Sequence, residues 1–185
     1  CNHQDFAGVG VAVPDALQFF RVRKMKSTGI NGWRTAHNPP TPGLLDAADK
    51  LGMLVWDENH KVDRPSQAEA LVRRDRNHPS VIIWSLCNEG MCDRGIKGGV
   101  PAFDAAGMID KRLFEKFDPL MGRVVSANPH DFRNWSTNGT ILDLIGLDYP
   151  CAHGPCYQQV HDWSPTIPII ASEFSSTTSD RETYA

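Results

Sequence analysis

The sequence contains no run of about 18 uncharged apolar residues, and this absence argues against a transmembrane helix. It also lacks a strong charge of either sign, since the formal net charge is -3 at pH 7 and the basic residues are spread out. We therefore expect neither a nucleic acid nor a membrane surface as the main partner. Because 41% of the residues are hydrophobic, the chain as a whole is not expected to be disordered.

Cysteine is scarce, because five residues among 185 are too few and too irregularly placed for a disulfide framework. Two pairs do share the spacing Cys-x4-Cys, namely Cys87 with Cys92 and Cys151 with Cys156. We interpret them as unrelated thiols. A zinc site or a disulfide remains open, since both pairs fall on loops that can approach each other.

The N-terminal segment lacks an initiator methionine, a basic region and an apolar stretch, so no signal peptide is visible. Both ends of the chain read as interior sequence. We therefore expect residues 1–185 to form one domain of a longer multidomain protein. Periplasmic, secreted and cytoplasmic locations all stay open.

Short apolar runs alternate with helical patterns along the chain, which is typical of a parallel sheet with crossover helices. Seven strands are predicted, at 2–6, 32–35, 53–58, 81–86, 123–127, 144–149 and 168–171. The main helices are predicted at 14–28, 42–51, 66–78 and 102–117. This order predicts an α/β fold, a (β/α)8 barrel with about seven βα units and its eighth strand missing.

Polar residues follow every predicted strand. Because the active site of such a barrel lies at the C-terminal ends of its strands, these residues are the candidates for chemistry. They are Asp5, Arg34, His37, Asn38, Asp57, Glu58, Asn88, Glu89, Asn128, His130, Asp148, Tyr149 and Glu173. Of these, we interpret Asn128 and His130 as plain loop residues.

Glu89 and Glu173 are the pair that we favour as catalytic. They follow the fourth and seventh predicted strands, which lie roughly opposite each other in an eight-stranded barrel. Glycosidic cleavage needs one protonated carboxyl group and one ionised carboxyl group on either side of the bond. A separation of about 5 to 5.5 Å between them would indicate a retaining enzyme.

Three segments carry a resemblance to a known family. The run from Arg74 to Glu89, RDRNHPSVIIWSLCNE, resembles the acid/base segment of glycoside hydrolase family 2, the β-galactosidase family. The run from Arg34 to Pro39, RTAHNP, resembles the second-strand segment of that family, and Asp57-Glu58 resembles its third-strand end. The resemblance covers the catalytic barrel, which is nearly the whole chain.

The resemblance implies retaining hydrolysis of a terminal β-linked sugar, with galactose as the expected sugar. Glu89 would be the general acid/base and Glu173 the nucleophile. Substrate-binding roles would fall to Asn88 at the sugar 2-hydroxyl, Arg34 and Tyr149 beside the nucleophile, His37 at the sugar, and Asp5 and Glu58 at the pocket floor. The resemblance further implies flanking β-sandwich domains in the longer protein.

Several alternatives stay open. The barrel is shared by β-mannosidases and β-glucuronidases, and the chain could be an inactive remnant that binds carbohydrate. Arg34 could be a structural ion-pair partner, and His37 could cap the next helix. His3, Asp5 and His37 could form the site of a metal hydrolase. Val62 stands where the magnesium site of the family has an acid, so we do not predict that metal. No cofactor is predicted either.

Overall fold

Six parallel strands form the main sheet of the protein. A computed structural model describes residues 9–60, 65–93, 96–97, 100–101, 111–129, 142–152 and 155–174. The strands of the sheet are β1 (Gly32–Arg34), β2 (Leu54–Glu58), β3 (Val81–Asn88), β6 (Val124–Asn128), β7 (Leu144–Asp148) and β8 (Ile169–Glu173). Two short strands, β4 (Ile96–Lys97) and β5 (Val100–Pro101), form a separate antiparallel pair. The predicted strand at 2–6, with Asp5, lies outside the described residues.

Helices connect the strands in the order expected for βα units. They are α1 (Asp15–Ser27), α2 (Pro42–Leu51), α3 (Pro65–Asp75), α4 (Gly90–Asp93), α5 (Lys111–Phe117) and α6 (Tyr157–Trp163). The helix predicted over 102–117 is described only in its last part, as α5. Within the described ranges, no helix has both the length and the apolar character needed to cross a membrane.

The sheet follows the chain order β1-β2-β3-β6-β7-β8, with every neighbouring pair parallel. It is curled, because Arg34 on the first of these strands lies 2.7 Å from Glu173 on the last. The architecture is therefore an incomplete (β/α)8 barrel, as the sequence predicts, and six of the seven predicted strands are confirmed. The C-terminal ends of all six strands point to one rim, where a barrel places its site.

Local sequence signals explain where the helices begin and end. Helix α2 starts at Pro42, where the fixed φ of proline suits a first helical turn. It stops at Gly52, whose φ of 70° belongs to the left-handed region that glycine adopts without strain. The buried face of α2 includes Leu44 and Leu45, which pack into the core.

An arginine clamp holds the opposite rim of the sheet. Arg123, just before β6, pairs with Asp118 at 2.6 Å, and both side chains are almost fully buried. The same guanidinium donates to the backbone carbonyls of Val81, Arg76 and His78. Since these carbonyls lie at the start of β3 and just before it, the clamp fixes the register of β3 against β6.

The two cysteine pairs are disulfides, and the interpretation as unrelated thiols is wrong. Cys87 on β3 bonds Cys92 on α4, and Cys151 after β7 bonds Cys156 just before α6. Helix α4 turns the chain back after Glu89, so the Cα atoms of Cys87 and Cys92 lie 5.1 Å apart, within the range of a disulfide. These four cysteines therefore form no disulfide between the two pairs.

Candidate active site

A buried arginine organises the C-terminal rim. Arg34, the last residue of β1, is 3% exposed. Its Nε donates to Glu58 Oε2 at 2.9 Å and its Nη1 to Glu173 Oε1 at 2.7 Å. Its Nη2 donates to Asn88 Oδ1 at 2.5 Å. The structure thus brings four of the predicted site residues together from four different strands.

His37 lies at the edge of this group and bridges two of its acids. Its Nδ1 is 3.2 Å from Glu58 Oε1, and its Nε2 is 3.3 Å from Glu173 Oε1. Burial lowers the pKa of His37, but the hydrogen bond to Glu58 and the negative charges of both acids outweigh burial and raise that pKa. The imidazole can therefore place a donor beside each carboxylate.

Glu173, the last residue of β8, is held in its ionised form. Burial alone would raise its pKa, but hydrogen bonds from the Tyr149 hydroxyl and the Arg34 guanidinium lower that pKa below its ordinary value. Tyr149 also donates its backbone N–H to the Glu173 carbonyl at 2.7 Å. An ionised carboxylate fixed in direction by two donors has the properties of a nucleophile.

Glu89 comes directly after β3, where the chain leaves the sheet. Its φ of 42° is left-handed, and its backbone N–H donates to the Asn128 carbonyl at 2.6 Å. One carboxyl oxygen from each of Glu89, Asp148 and Glu173 lies within 4.8 Å of the others. The two predicted catalytic acids therefore face each other across the rim.

Three acids this close could also hold a metal ion. A cation there would have to lie beside the Arg34 guanidinium, which is 2.7 Å from Glu173 and 4.0 Å from Asp148. A metal cation and the Arg34 guanidinium would repel each other at such distances. The positive charge of Arg34 already compensates the charge of these carboxyl groups. We assign no metal to the three acids.

Both Asp148, which the sequence offers as a candidate without a specific role, and Asn128, which we interpret from the sequence as a loop residue, belong to the rim. Asn128 is no loop residue: it ends β6, is 1% exposed, and donates from Nδ2 to Asp148 Oδ1 at 3.2 Å. Ser172 Oγ donates to the same oxygen at 2.6 Å. Burial is the main cause that raises the pKa of Asp148, helped by the charge of Glu173. The sequence does contain a signal for Asn128, namely its position at the end of a predicted strand, which it shares with the other candidates.

A glycine makes room for Asn128, and filling that room has a predictable cost. A Cβ atom added at Gly146 would lie 2.5 Å from Asn128 Nδ2. We expect Gly146→Ala to displace Asn128 and to lower the free energy of unfolding by about 1–3 kcal/mol, measured by denaturant titration. Gly32→Ala is the matched control, because its Cβ would meet nothing within 4 Å. Equal stability of the two variants would contradict the expectation.

Some candidates do not join the rim. Asp57 is fully buried on the other side of β2, because successive strand residues face opposite ways. Burial and the adjacent carboxyl group of Asp75 raise the pKa of Asp57 well above its usual range. His3, Asp5 and His130 lie outside the described residues, so the alternative metal site is described only at His37.

Comparisons with known proteins bear on the family and the fold of the chain. The family described as "Glycosyl hydrolases family 2, TIM barrel domain" matches residues 2–70 and 60–180. Beta-galactosidase BoGH2A of Bacteroides ovatus is 35% identical over 226 residues, covering 100% of this chain and 26% of that protein. The chain thus spans about a quarter of the length of this relative.

Two solved structures extend the comparison. A glycosyl hydrolase family 2 member from Bacteroides cellulosilyticus has a TM-score of 0.67 at 27% identity, covering 93% of this chain and 24% of that one. A β-glucuronidase from Bacteroides uniformis has a TM-score of 0.74 at 25% identity, covering 97% and 24%. The similar proteins therefore include enzymes named for two different sugars.

Proposed function

Because the chain belongs to glycosyl hydrolase family 2, a family of glycosidases, we propose that it hydrolyses a terminal β-linked sugar with retention of configuration. The observation that carries the proposal is the approach of Glu89 and Glu173, whose nearest carboxyl oxygens lie within 4.8 Å. Retaining glycosidases hold their two carboxyl groups about 5–5.5 Å apart, whereas inverting enzymes leave a wider gap for water.

In the first step, a Glu173 carboxylate oxygen attacks the anomeric carbon while the bond from that carbon to the leaving oxygen breaks. Glu89 gives its proton to the leaving oxygen, so the aglycone departs as a neutral alcohol. The bond to the Glu173 oxygen replaces the bond to the aglycone, and Glu89 is left as a carboxylate.

In the second step, water hydrolyses the glycosyl ester. Glu89, left as a carboxylate by the first step, accepts a proton from the attacking water. The water oxygen bonds to the anomeric carbon and the Glu173 carboxylate leaves. Two inversions give net retention, and the protonated Glu89 is restored.

The remaining rim residues position the sugar and the nucleophile. Arg34 and Tyr149 orient Glu173 through hydrogen bonds. Asn88 accepts from Arg34 through Oδ1, which turns its amide N–H donors toward the sugar 2-hydroxyl. His37 contacts the sugar from the exposed edge of the rim. Glu58 and Asp5 form the floor of the sugar pocket. For Asp5 this role is proposed from the sequence.

The sugar we propose is galactose, supported by the full-length coverage of this chain by the relative named a β-galactosidase. Relatives named β-glucuronidase make the glucuronide the main alternative. We further propose that residues 1–185 form the catalytic barrel domain of a longer protein with flanking β-sandwich domains. Its small coverage of the relatives supports this arrangement.

Trapping the ester tests the proposal directly. The longest natural form of the protein is incubated with an activated 2-deoxy-2-fluoro-β-galactoside. The fluorine slows both the formation and the hydrolysis of the ester, while the activated leaving group speeds only its formation, so the ester accumulates. We expect the intact mass to rise by one fluorosugar, with the label on the peptide that contains Glu173. A label on a different residue, or no label from the galacto, manno and glucurono reagents with folded protein, would falsify the mechanism.

A further inference from the structure

We propose that Asp148 determines which sugar the site accepts: its carboxyl group favours a neutral glycone and rejects a uronic acid. The inference rests on the proposed function and adds to it the substrate class. It concerns a residue on β7 with no part in the proton transfers above. Three observations support the inference. They are the hydrogen bonds that hold the Asp148 side chain, the carboxyl oxygen that has no hydrogen-bond partner, and the charged groups around it.

The side chain of Asp148 is held firmly through one of its two oxygens. Ser172 Oγ donates to Oδ1 at 2.6 Å and Asn128 Nδ2 donates to it at 3.2 Å. Gly146 leaves the space that the Asn128 amide occupies. Three residues on three neighbouring strands thus fix the direction of this carboxyl group.

The other oxygen, Oδ2, is buried and has no hydrogen-bond partner among the described residues. A buried carboxyl oxygen without a donor costs free energy, so a bound ligand that offers an O–H group gains by filling the gap. The Asp148 carboxyl group also lies within 4.8 Å of both proposed catalytic carboxyl groups. A hydroxyl of the sugar ring held between those two groups is therefore the natural donor.

The surrounding charges oppose an acidic sugar. Apart from Glu89, which carries its proton before the first step, Glu58, Asp148 and Glu173 supply three carboxyl groups to the described part of the rim, against Arg34 and His37. The Arg34 guanidinium is already engaged by Glu58, Glu173 and Asn88. A uronate would bring a further carboxylate to this group, and like charges placed together are a strong means of rejecting a ligand.

The test compares kcat/KM for 4-nitrophenyl β-galactoside and 4-nitrophenyl β-glucuronide, using the longest natural form of the protein. We expect the parent to prefer the galactoside. We expect Asp148→Asn, which keeps the shape and removes the charge, to lower the galactoside-to-glucuronide ratio about tenfold or more. Asp148→Ser repeats the test with a smaller side chain, and circular dichroism verifies the fold of each variant. Asp162→Asn, an exposed carboxyl on α6, is the matched control and should leave the ratio unchanged.

The outcomes separate this inference from the proposed function. A ratio that stays within about threefold of the parent value in both Asp148 variants overturns the role of Asp148 and leaves the retaining mechanism intact. A preference of the parent enzyme for the glucuronide also overturns the role of Asp148 and leaves the retaining mechanism intact. Absence of hydrolysis together with absence of a trapped ester removes the proposed function, and the role of Asp148 with it.

Discussion

Replacing Glu173 with alanine is expected to lower kcat by on the order of 10⁴-fold or more, because it removes the carboxylate proposed to form the glycosyl ester. Azide should restore turnover, since the small anion fits the space of the missing carboxylate. It attacks from the same side as Glu173 would, so the product expected is the α-glycosyl azide. Product configuration by nuclear magnetic resonance is the measurement.

Glu89→Ala provides the comparison that separates the two roles. Loss of a general acid costs about 10²- to 10⁴-fold with a poor leaving group and much less with an activated one such as dinitrophenolate. Azide should then attack the accumulated ester and give the β-glycosyl azide. Glu115→Ala, an exposed acid on α5, should keep parent activity. The opposite pattern of azide products would mean that the two roles are exchanged.

Replacing Arg34 with methionine is expected to have the second-largest effect, on both stability and pH dependence. Glu58 is fully buried and lies 2.6 Å from Arg34. Its carboxylate would be left without this partner at a cost of about 3–5 kcal/mol in the free energy of unfolding. Denaturant titration measures this cost. In the double variant Arg34→Met/Glu58→Gln, which removes both charges, most of the loss should be recovered.

The same substitution should change the pH profile in one direction. Arg34 helps to lower the pKa of Glu173, so its removal should raise that pKa. Glu173 would then be protonated at a higher pH, and the acid limb of the kcat/KM profile should move upward. Arg34→Lys keeps a positive charge and should move the limb less. An acid limb that stays in place would show that Arg34 does not control the ionisation of Glu173.

The sequence predicts most of the fold because the strand signals are local. The run 81–86 is apolar except for Ser85, and the structure forms it into the first six residues of β3. The burial on both faces that the run suggests is incomplete, because Ile82 is exposed. The turns that stop α1 and α2 are marked by Gly29 and Gly52. These signals need no knowledge of the rest of the chain.

Side-chain partners across the rim are less accessible from the sequence. Asp57 and Glu58 are adjacent acids, yet only Glu58 reaches Arg34, because alternate strand residues face opposite sides. The role of Asn128 depends on Asp148 and on the missing side chain of Gly146, twenty and eighteen residues away. The disulfide from Cys87 to Cys92 depends on the turn that α4 makes after Glu89.

The hydrogen bond between Arg34 and Glu173 joins residues that are 139 positions apart and lie on the two edge strands of the described sheet. The four strands between them must be assembled before the two side chains can meet. Contacts of such long range form late in folding, since the entropy of closing the chain must be overcome first. We therefore expect the contact between Arg34 and Glu173 to form late in folding.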